Sequence, residues 1–193
     1  IAARCGETLK RCSLELGGKS AAIVLDDADI AASAPMLVFS GMLNAGQACV
    51  AQTRVLVPRS RHDEVVQAMV DVAATFTPGL PSDPDTKIGP LINERQFQKV
   101  SGYIERGKAG GATAVLEVAG PEAAGGHWVG PTIFTGVSND MEIAREEIFG
   151  PVISVIAYDD VDEAVAIAND SDYGLVGSVW TADVPRGIEI AKR

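Results

Sequence analysis

The sequence predicts an α/β domain whose sheet is largely parallel and flanked by helices. Short apolar segments typical of buried strands alternate along the chain with longer amphipathic segments typical of helices. With 193 residues, of which 47 % are apolar and 22 % charged, the chain is long enough and apolar enough to bury one sizeable core. Because helices follow strands this regularly, the strands are expected to run mostly parallel beneath covering helices.

The first predicted strand covers residues 12–16, in the segment RCSLELGGK. Side chains alternate across a strand, so Cys12, Leu14 and Leu16 would share one apolar face. Glu15 would then lie on the opposite face of the strand. The two glycines that follow would end the strand.

A second strand and the first long helix come next. Residues 21–25 are apolar and predict a buried strand, and the acidic residues after them predict a turn. The helix is expected to begin at Ser33, whose hydroxyl can cap the first turn, so that Pro35 falls where a missing N–H is tolerated. It should end near Asn44 and Gly46.

The segment RVLV predicts the next strand, and HDEVVQAMVDVAATF predicts a helix after it. The loop TPGLPSDPDTKIGPLI holds four prolines and is predicted to be a surface loop within one domain. In the predicted helix HDEVVQAMVDVAATF, one apolar stripe consists of Val65, Met69, Val72, Ala73 and Phe76.

The second half repeats the alternation of helices and strands. A Gly/Ala-rich loop is predicted between a strand in ATAVLEV and the segment HWVGPTIFTGV. The remaining predicted elements are a helix in NERQFQKVSGYIERGKAGG, a strand in PVISVIAY, a helix in DVDEAVAIAND, a strand in GLVGSVWT and a helix through RGIEIAKR.

The net charge and the spacing of the cysteines disfavour several classes of function. The chain carries 16 Lys plus Arg against 26 Asp plus Glu, a formal net charge of −10, which disfavours nucleic acid or an anionic membrane surface as a partner. No apolar run approaches the roughly 20 residues that span a bilayer, so a cytoplasmic protein is expected. The three cysteines have neither CxxC nor Cys/His ligand spacing, so neither a disulfide framework nor a metal site is predicted.

Cys49, in the segment GQACVAQTR, is a candidate nucleophile. A cysteine reacts as its thiolate, and backbone N–H groups at the start of an element stabilise that anion. Cys49 lies just before a predicted strand and follows Gly46, which allows the backbone to approach a ligand closely. The alternative for any cysteine is a small inert hydrophobic residue, and that is the prediction for Cys5 and Cys12.

Glu15 is the second candidate. At the end of a predicted strand, on the face opposite the leucines, its carboxylate could look into a cleft and act as a general base. The alternative is a solvent-facing residue of a half-exposed strand.

Together these motifs resemble the active-site signature of the NAD(P)-dependent aldehyde dehydrogenase family. LELGGK contains Glu15, and the cysteine of GQAC follows that glutamate by 34 positions. KIGPLI, GPTIFTGV, EEIFGPVISV and ANDSDYGLVGSVWT also match, in the family's order, so the resemblance spans essentially the whole chain. It implies a fold like that of the family's catalytic domain.

The resemblance implies catalytic roles for both candidates. Cys49 would attack an aldehyde carbonyl to give a thiohemiacetal, which passes hydride to the cofactor and leaves a thioester. Glu15 would activate the water that hydrolyses the thioester. The Cys49 backbone N–H would stabilise the oxyanion, while the family's second oxyanion donor, a side-chain amide, has no match here.

The resemblance also implies cofactor contacts. Glu147 and Phe149 would hold the nicotinamide ribose and ring, and Leu16 and Gly17 would line the nicotinamide side. Lys19 is interpreted as structural. The implied cofactor is NAD or NADP, the substrate is a small-molecule aldehyde, and the full-length protein would be a homo-oligomer.

Residues 1–193 are expected to form the thiol-bearing catalytic domain without the family's upstream dinucleotide-binding region and C-terminal tail. The isolated chain should therefore bind NAD(P) weakly and be either inactive or limited to esterase-like acylation. One alternative is a non-catalytic module that retains the fold without activity. Another, an acylating enzyme that releases its thioester to coenzyme A, is disfavoured because such enzymes normally dispense with the base that Glu15 would supply.

Overall fold

The computed structural model describes residues 1–121 and 125–193. Part of the predicted Gly/Ala-rich loop lies outside these described residues. The strands are β1 (Ala21–Val24), β2 (Arg54–Pro58), β3 (Thr113–Glu117), β4 (Thr132–Thr135), β5 (Val152–Tyr158) and β6 (Gly177–Trp180). The helices are α1 (Ala2–Gly6), α2 (Ile30–Met42), α3 (His62–Ala73), α4 (Glu94–Ala109), α5 (Glu142–Arg145), α6 (Val161–Asn169) and α7 (Val184–Ala191).

The strands form one six-stranded sheet in the order β3-β4-β5-β2-β1-β6. Every neighbouring pair is parallel except β3 and β4, which are antiparallel at one edge. Strands β1, β2 and β4 are buried along their whole length, as expected where both faces of a parallel sheet are covered. The predicted α/β class with a largely parallel sheet is confirmed.

Helix α2 begins earlier than predicted. Asp29 caps it, because its carboxylate accepts a hydrogen bond from the Ala32 N–H at 3.1 Å. Ser33 therefore lies inside the helix, and Pro35 is its sixth residue instead of a first-turn residue. The helix tolerates this proline because its core-facing side chains, including Leu37, are fully buried. The predicted end is correct, since α2 stops at Met42 and a 3₁₀ turn follows it.

The predicted strand at residues 12–16 is wrong. Residues 10–20 form neither a helix nor a strand, and Cys12, Leu14 and Leu16 are all exposed. An apolar alternation over five residues does not form a strand without a neighbouring strand to pair with. Glu15 therefore does not lie on a strand.

No described helix is both long and apolar enough to cross a membrane. Within the described residues the three cysteines are free thiols. The proline-rich loop has no helix or strand of its own and carries one isolated bridge between Pro78 and Ile88.

Arg54 joins the sheet to the C-terminal end of α6. Its side chain is buried and donates to the Lys19 carbonyl at 2.9 Å and to the Asn139 side-chain oxygen at 2.8 Å. It also donates to the last-turn carbonyls of Ile167 and Ala168, at 2.8 and 3.0 Å. Burial lowers the pKa of the Arg54 guanidinium.

We predict that Arg54→Met destabilises the fold by about 3 kcal/mol or more, because it leaves buried carbonyl groups without donors. Urea unfolding measures the change. The control is Arg59→Met, which removes an exposed ion pair with Asp159 and should have little effect. Equal losses in the two variants would contradict the structural role of Arg54.

Candidate active site

Three sequence-distant segments meet at one edge of the sheet. ELGGK precedes β1, the cysteine loop (residues 44–53, which include Cys49) precedes β2, and EEIFGP precedes β5. These strands are adjacent and parallel, in the order β5-β2-β1, so the segments that precede them lie at the same edge. The topology therefore brings together most of the site residues predicted from the sequence. The site lies at the amino ends of the strands, whereas ligands of open α/β sheets usually bind at the carboxyl ends.

Two glycines bring the segments into backbone contact. A Cβ on Gly18 would overlap the carbonyl oxygen of Cys49. Gly46 has φ +71°, and a Cβ there would overlap the carbonyl group of Gly150. Since any other side chain would have to displace backbone at these points, glycine is what allows the cysteine loop to touch both neighbouring segments.

The cysteine loop has a strained backbone. Asn44 and Ala45 have φ of 54° and 56°, in the left-handed region that residues with a Cβ seldom adopt. The Asn44 side chain donates to the Gln47 carbonyl at 3.1 Å, and the Gln47 side-chain oxygen accepts from the Ile92 N–H at 3.0 Å. These bonds hold a conformation that costs on the order of 1–3 kcal/mol per strained residue. Such strain is concentrated at functional sites.

Cys49 lies in a turn within this loop, before β2. It is half-buried, as is Cys5, whereas Cys12 is exposed. None of the described residues accepts a hydrogen bond from the Cys49 N–H. That group is free to bind an oxyanion.

Glu15 is exposed, and no described residue hydrogen-bonds its carboxylate. It lies three residues before Gly18, in the segment that contacts the Cys49 carbonyl. The chain therefore places Glu15 in the segment beside the cysteine loop but leaves its carboxylate in solvent. Leu16 is also exposed.

Glu147 is half-buried against the two glycines of ELGGK. Its Oε1 accepts from the Gly18 N–H at 2.9 Å, and a Cβ on Gly17 would lie 2.8 Å from its Oε2. Within the described residues Oε2 receives no hydrogen bond, so it can accept one from a ligand hydroxyl. The Glu147 carbonyl accepts from Lys99 Nζ at 2.8 Å.

Phe149 is half-buried and has φ +61°, another strained position. Gln96 donates to the carbonyls of Ile148 and Phe149, at 3.1 and 2.8 Å. Gln96 and Lys99 lie one turn apart on α4 and hold the IFGP segment. Sequence reasoning missed both, because about 50 residues separate them from the segment they bind; their spacing on one helix face was the only available signal.

Lys19 is 2 % exposed, which agrees with its interpretation as a structural residue. No described group accepts a hydrogen bond from its Nζ. Burial, reinforced by Arg54 and Lys99, lowers its pKa to about 7 despite the opposing charges of Glu147 and Glu146. Among the described residues, no three His, Cys, Asp or Glu side chains are grouped as metal ligands.

The fold and site define a class of α/β domains in which a strained cysteine loop and a carboxylate-bearing loop meet at the sheet edge. The model of the aldehyde dehydrogenase family matches residues 1–193, and this chain belongs to that family. The resemblance noted from the motifs is thereby confirmed.

Named relatives are similar to this chain over nearly its whole length. The chain is 47 % identical over 193 residues to geranial dehydrogenase of Castellaniella defragrans and 45 % identical over 190 residues to betaine aldehyde dehydrogenase of Brucella anthropi. It covers 100 % and 97 % of its own length in these matches, but only 40 % and 39 % of theirs.

Solved structures show the same fold. A Mycobacterium tuberculosis aldehyde dehydrogenase complexed with NAD+ superposes with a TM-score of 0.93 at 55 % identity, covering 99 % of this chain and 40 % of the other. Aldehyde dehydrogenase C of Pseudomonas syringae, a cysteine-to-alanine mutant complexed with NAD+ and octanal, gives 0.92 at 43 % identity, covering 99 % and 40 %.

We predict that Lys19→Met raises the free energy of unfolding, and that the gain shrinks with rising pH. A lysine with a pKa of 10.5 when unfolded and about 7 when folded binds more protons in the unfolded state between those values. Wild-type stability should therefore rise with pH across that window, by at most about 1.4 kcal/mol per pH unit from this group.

Urea unfolding at pH 7 and pH 9 should show the gain of Lys19→Met falling by about 2 kcal/mol. Lys192→Met, at a lysine paired with Glu189 on the surface, controls for loss of a positive charge. A gain that is the same at both pH values would show that Lys19 does not titrate in this range.

Proposed function

We propose that this chain carries the nucleophile and the hydrolytic base of an NAD(P)-dependent aldehyde oxidation. The observation that carries the proposal is the convergence of the cysteine loop, ELGGK and EEIFGP at the amino ends of three adjacent strands. Geranial and betaine aldehyde dehydrogenases among the relatives, and NAD+ in the matched structures, support this assignment.

In the proposed reaction the Cys49 thiolate attacks the aldehyde carbonyl carbon. The carbonyl π electrons move to oxygen, and the Cys49 N–H, free within the described chain, donates to the resulting oxyanion. The oxyanion then re-forms the carbonyl as the former aldehyde hydrogen leaves as hydride, which gives a thioester on the cysteine sulfur. A structure with octanal in a cysteine-to-alanine mutant supports a cysteine role in this family.

Glu15 completes the proposed cycle. Its carboxylate takes a proton from water as the water oxygen attacks the thioester, and the carboxylic acid departs as Cys49 regains its thiolate. An exposed carboxylate has access to water, which this step requires. Its place in the ELGGK segment, beside the cysteine loop, supports the assignment.

The residues around Glu147 fit a nicotinamide nucleotide. One carboxylate oxygen is held by the Gly18 N–H, the other is open to a ribose hydroxyl, and the missing Cβ of Gly17 leaves space beside it. Phe149 and Leu16 would supply apolar contact to the ring. When bound, NAD or NADP accepts the hydride. These few contacts are a small part of a dinucleotide interface, so we expect weak binding by this chain alone.

We predict that p-nitrophenyl acetate acylates Cys49, because formation of a thioester from an activated ester needs no cofactor. Glu15→Gln should slow hydrolysis of the adduct by about 10²-fold or more. Peptide mass spectrometry locates the acetyl group, and its decay with time gives the hydrolysis rate.

Glu7→Gln, at another exposed glutamate, should leave the lifetime of the adduct unchanged. Acetylation spread evenly over Cys5, Cys12 and Cys49 would contradict the proposal and favour a non-catalytic module with this fold. If Glu15→Gln leaves the lifetime of the Cys49 adduct unchanged, Glu15 is not the hydrolytic base.

A further inference from the structure

Trp180, Ser178 and Gln52 form a chain of hydrogen bonds that the proposed chemistry does not use. Trp180 Nε1 donates to Ser178 Oγ at 2.8 Å, and Ser178 Oγ donates to Gln52 Oε1. An indole N–H can only donate, so the serine oxygen accepts from Trp180 and its one hydroxyl hydrogen is left for Gln52. The direction of both bonds is therefore fixed. All three side chains are half-buried.

These hydrogen bonds join the cysteine loop to the edge strand of the sheet. Ser178 and Trp180 are two residues apart in β6 and therefore lie on the same face of that strand. Gln52 lies in the cysteine loop, two residues before β2. Strand β1 lies between β2 and β6, and Ser178 is paired with Ala22 of β1. The Gln52 side chain therefore reaches past β1 to the edge strand.

The backbone of Gln52 is held from another direction. Its N–H donates to the Ser40 carbonyl of α2 at 3.2 Å. A Cβ on Gly41 would lie 3.1 Å from the Gln52 carbonyl oxygen, so the glycine allows α2 to approach this residue closely. Gln52 is thus bound to α2 through its backbone and to β6 through its side chain.

Cys49 lies in a turn that ends next to Gln52. The Ala51 N–H donates to the Ala48 carbonyl at 3.0 Å, which closes a four-residue turn with Cys49 at its second position. Gln52 follows Ala51 directly, so the contacts of Gln52 determine where the turn ends. Gln47 precedes the turn and is held by its own side-chain hydrogen bond. The direction of the Cys49 N–H depends on the orientation of this turn.

We propose that Gln52 is a positioning residue for Cys49, held by Ser178 and Trp180 so that the turn keeps the Cys49 N–H directed at the oxyanion. This inference rests on the proposed function, in which Cys49 is the nucleophile. Without the bond to Ser178, the Gln52 side chain is free to rotate and the end of the turn loses one of its two attachments. Stabilisation of the oxyanion should then suffer more than access to the sulfur.

The experiment compares two reactions of Cys49, of which only one forms an oxyanion. With p-nitrophenyl acetate, the thiolate attacks the ester carbonyl, an oxyanion forms and collapses, and p-nitrophenolate leaves with the electrons of the broken C–O bond. With iodoacetamide, the thiolate displaces iodide and no oxyanion forms. We expect Gln52→Leu to slow acetylation of Cys49 about tenfold and alkylation less than about twofold, both measured by peptide mass spectrometry.

Further variants test whether Ser178 acts through Gln52. Ser178→Ala should slow acetylation by the same factor as Gln52→Leu, and the double variant should be no slower than either, because each change breaks the same connection. Ser178→Thr keeps a hydroxyl group and should restore the rate. The control is Gln98→Leu, at an exposed glutamine bonded to Glu94 on α4, which should change neither reaction.

A second readout does not depend on ester chemistry. The chain has two tryptophans, Trp128 and Trp180, so a ¹⁵N-labelled sample gives two indole N–H signals. Alkylation of Cys49 should move the Trp180 signal, because hydrogen bonds connect the indole to the residue that ends the cysteine turn. Gln52→Leu should abolish that movement, and the Trp128 signal should stay in place throughout.

For the indole measurement, Cys5→Ser and Cys12→Ser leave one thiol for iodoacetamide. A Gln52→Leu chain that is acetylated as fast as the unaltered chain, or slowed equally in both reactions, would overturn the proposal. So would a Trp180 signal that does not respond to alkylation of Cys49. If the unaltered chain is not acetylated at Cys49, the proposed function fails, and the indole signals still decide whether Gln52 couples β6 to the cysteine turn.

Discussion

The candidate site depends on one constraint: backbone from three segments must approach more closely than a Cβ would permit. Gly18 lies against the Cys49 carbonyl, and Gly46 lies against the Gly150 carbonyl. These contacts place the cysteine loop between its two neighbours.

The strand order of the sheet and the strained loop backbone both contribute to this arrangement. The three strands β5, β2 and β1 are adjacent and parallel, so their preceding segments emerge side by side. Asn44, Ala45 and Phe149 adopt left-handed backbone in two of those segments, and Gln47 and Gln96 hold the strained stretches through side-chain hydrogen bonds. The rigid core thus stabilises a local geometry that the loops would not adopt alone.

The sequence predicted most of the elements because periodicity is strong in long helices and in fully buried strands. It failed at residues 12–16, where a five-residue alternation has no partner strand and the chain follows the contacts of Gly17 and Gly18 instead. It also misplaced the start of α2, since Asp29 caps the helix in place of Ser33. Local patterns do not reveal which of two plausible caps packing will select.

The motif residues could be identified from the sequence, but their surroundings could not. Gln96 and Lys99 bind a segment about 50 residues away, and the charged residues that shift the pKa of Lys19 come from three separate parts of the chain. Such relations arise only when the fold brings the elements together. Glu15, by contrast, is exposed, and its place in the ELGGK segment is what associates it with the cysteine loop.

The most direct test of the assembled site is the rate at which iodoacetamide alkylates each cysteine near neutral pH. Accessibility alone would make the exposed Cys12 react first. If contact between the segments activates the thiol, Cys49 should react about tenfold faster than Cys5 or Cys12. Gly18→Ala should remove that advantage, and Gly89→Ala, where a Cβ meets only ordinary contact, should not. Rates that simply follow exposure, or a Gly18→Ala chain with Cys49 equally reactive, would contradict the account.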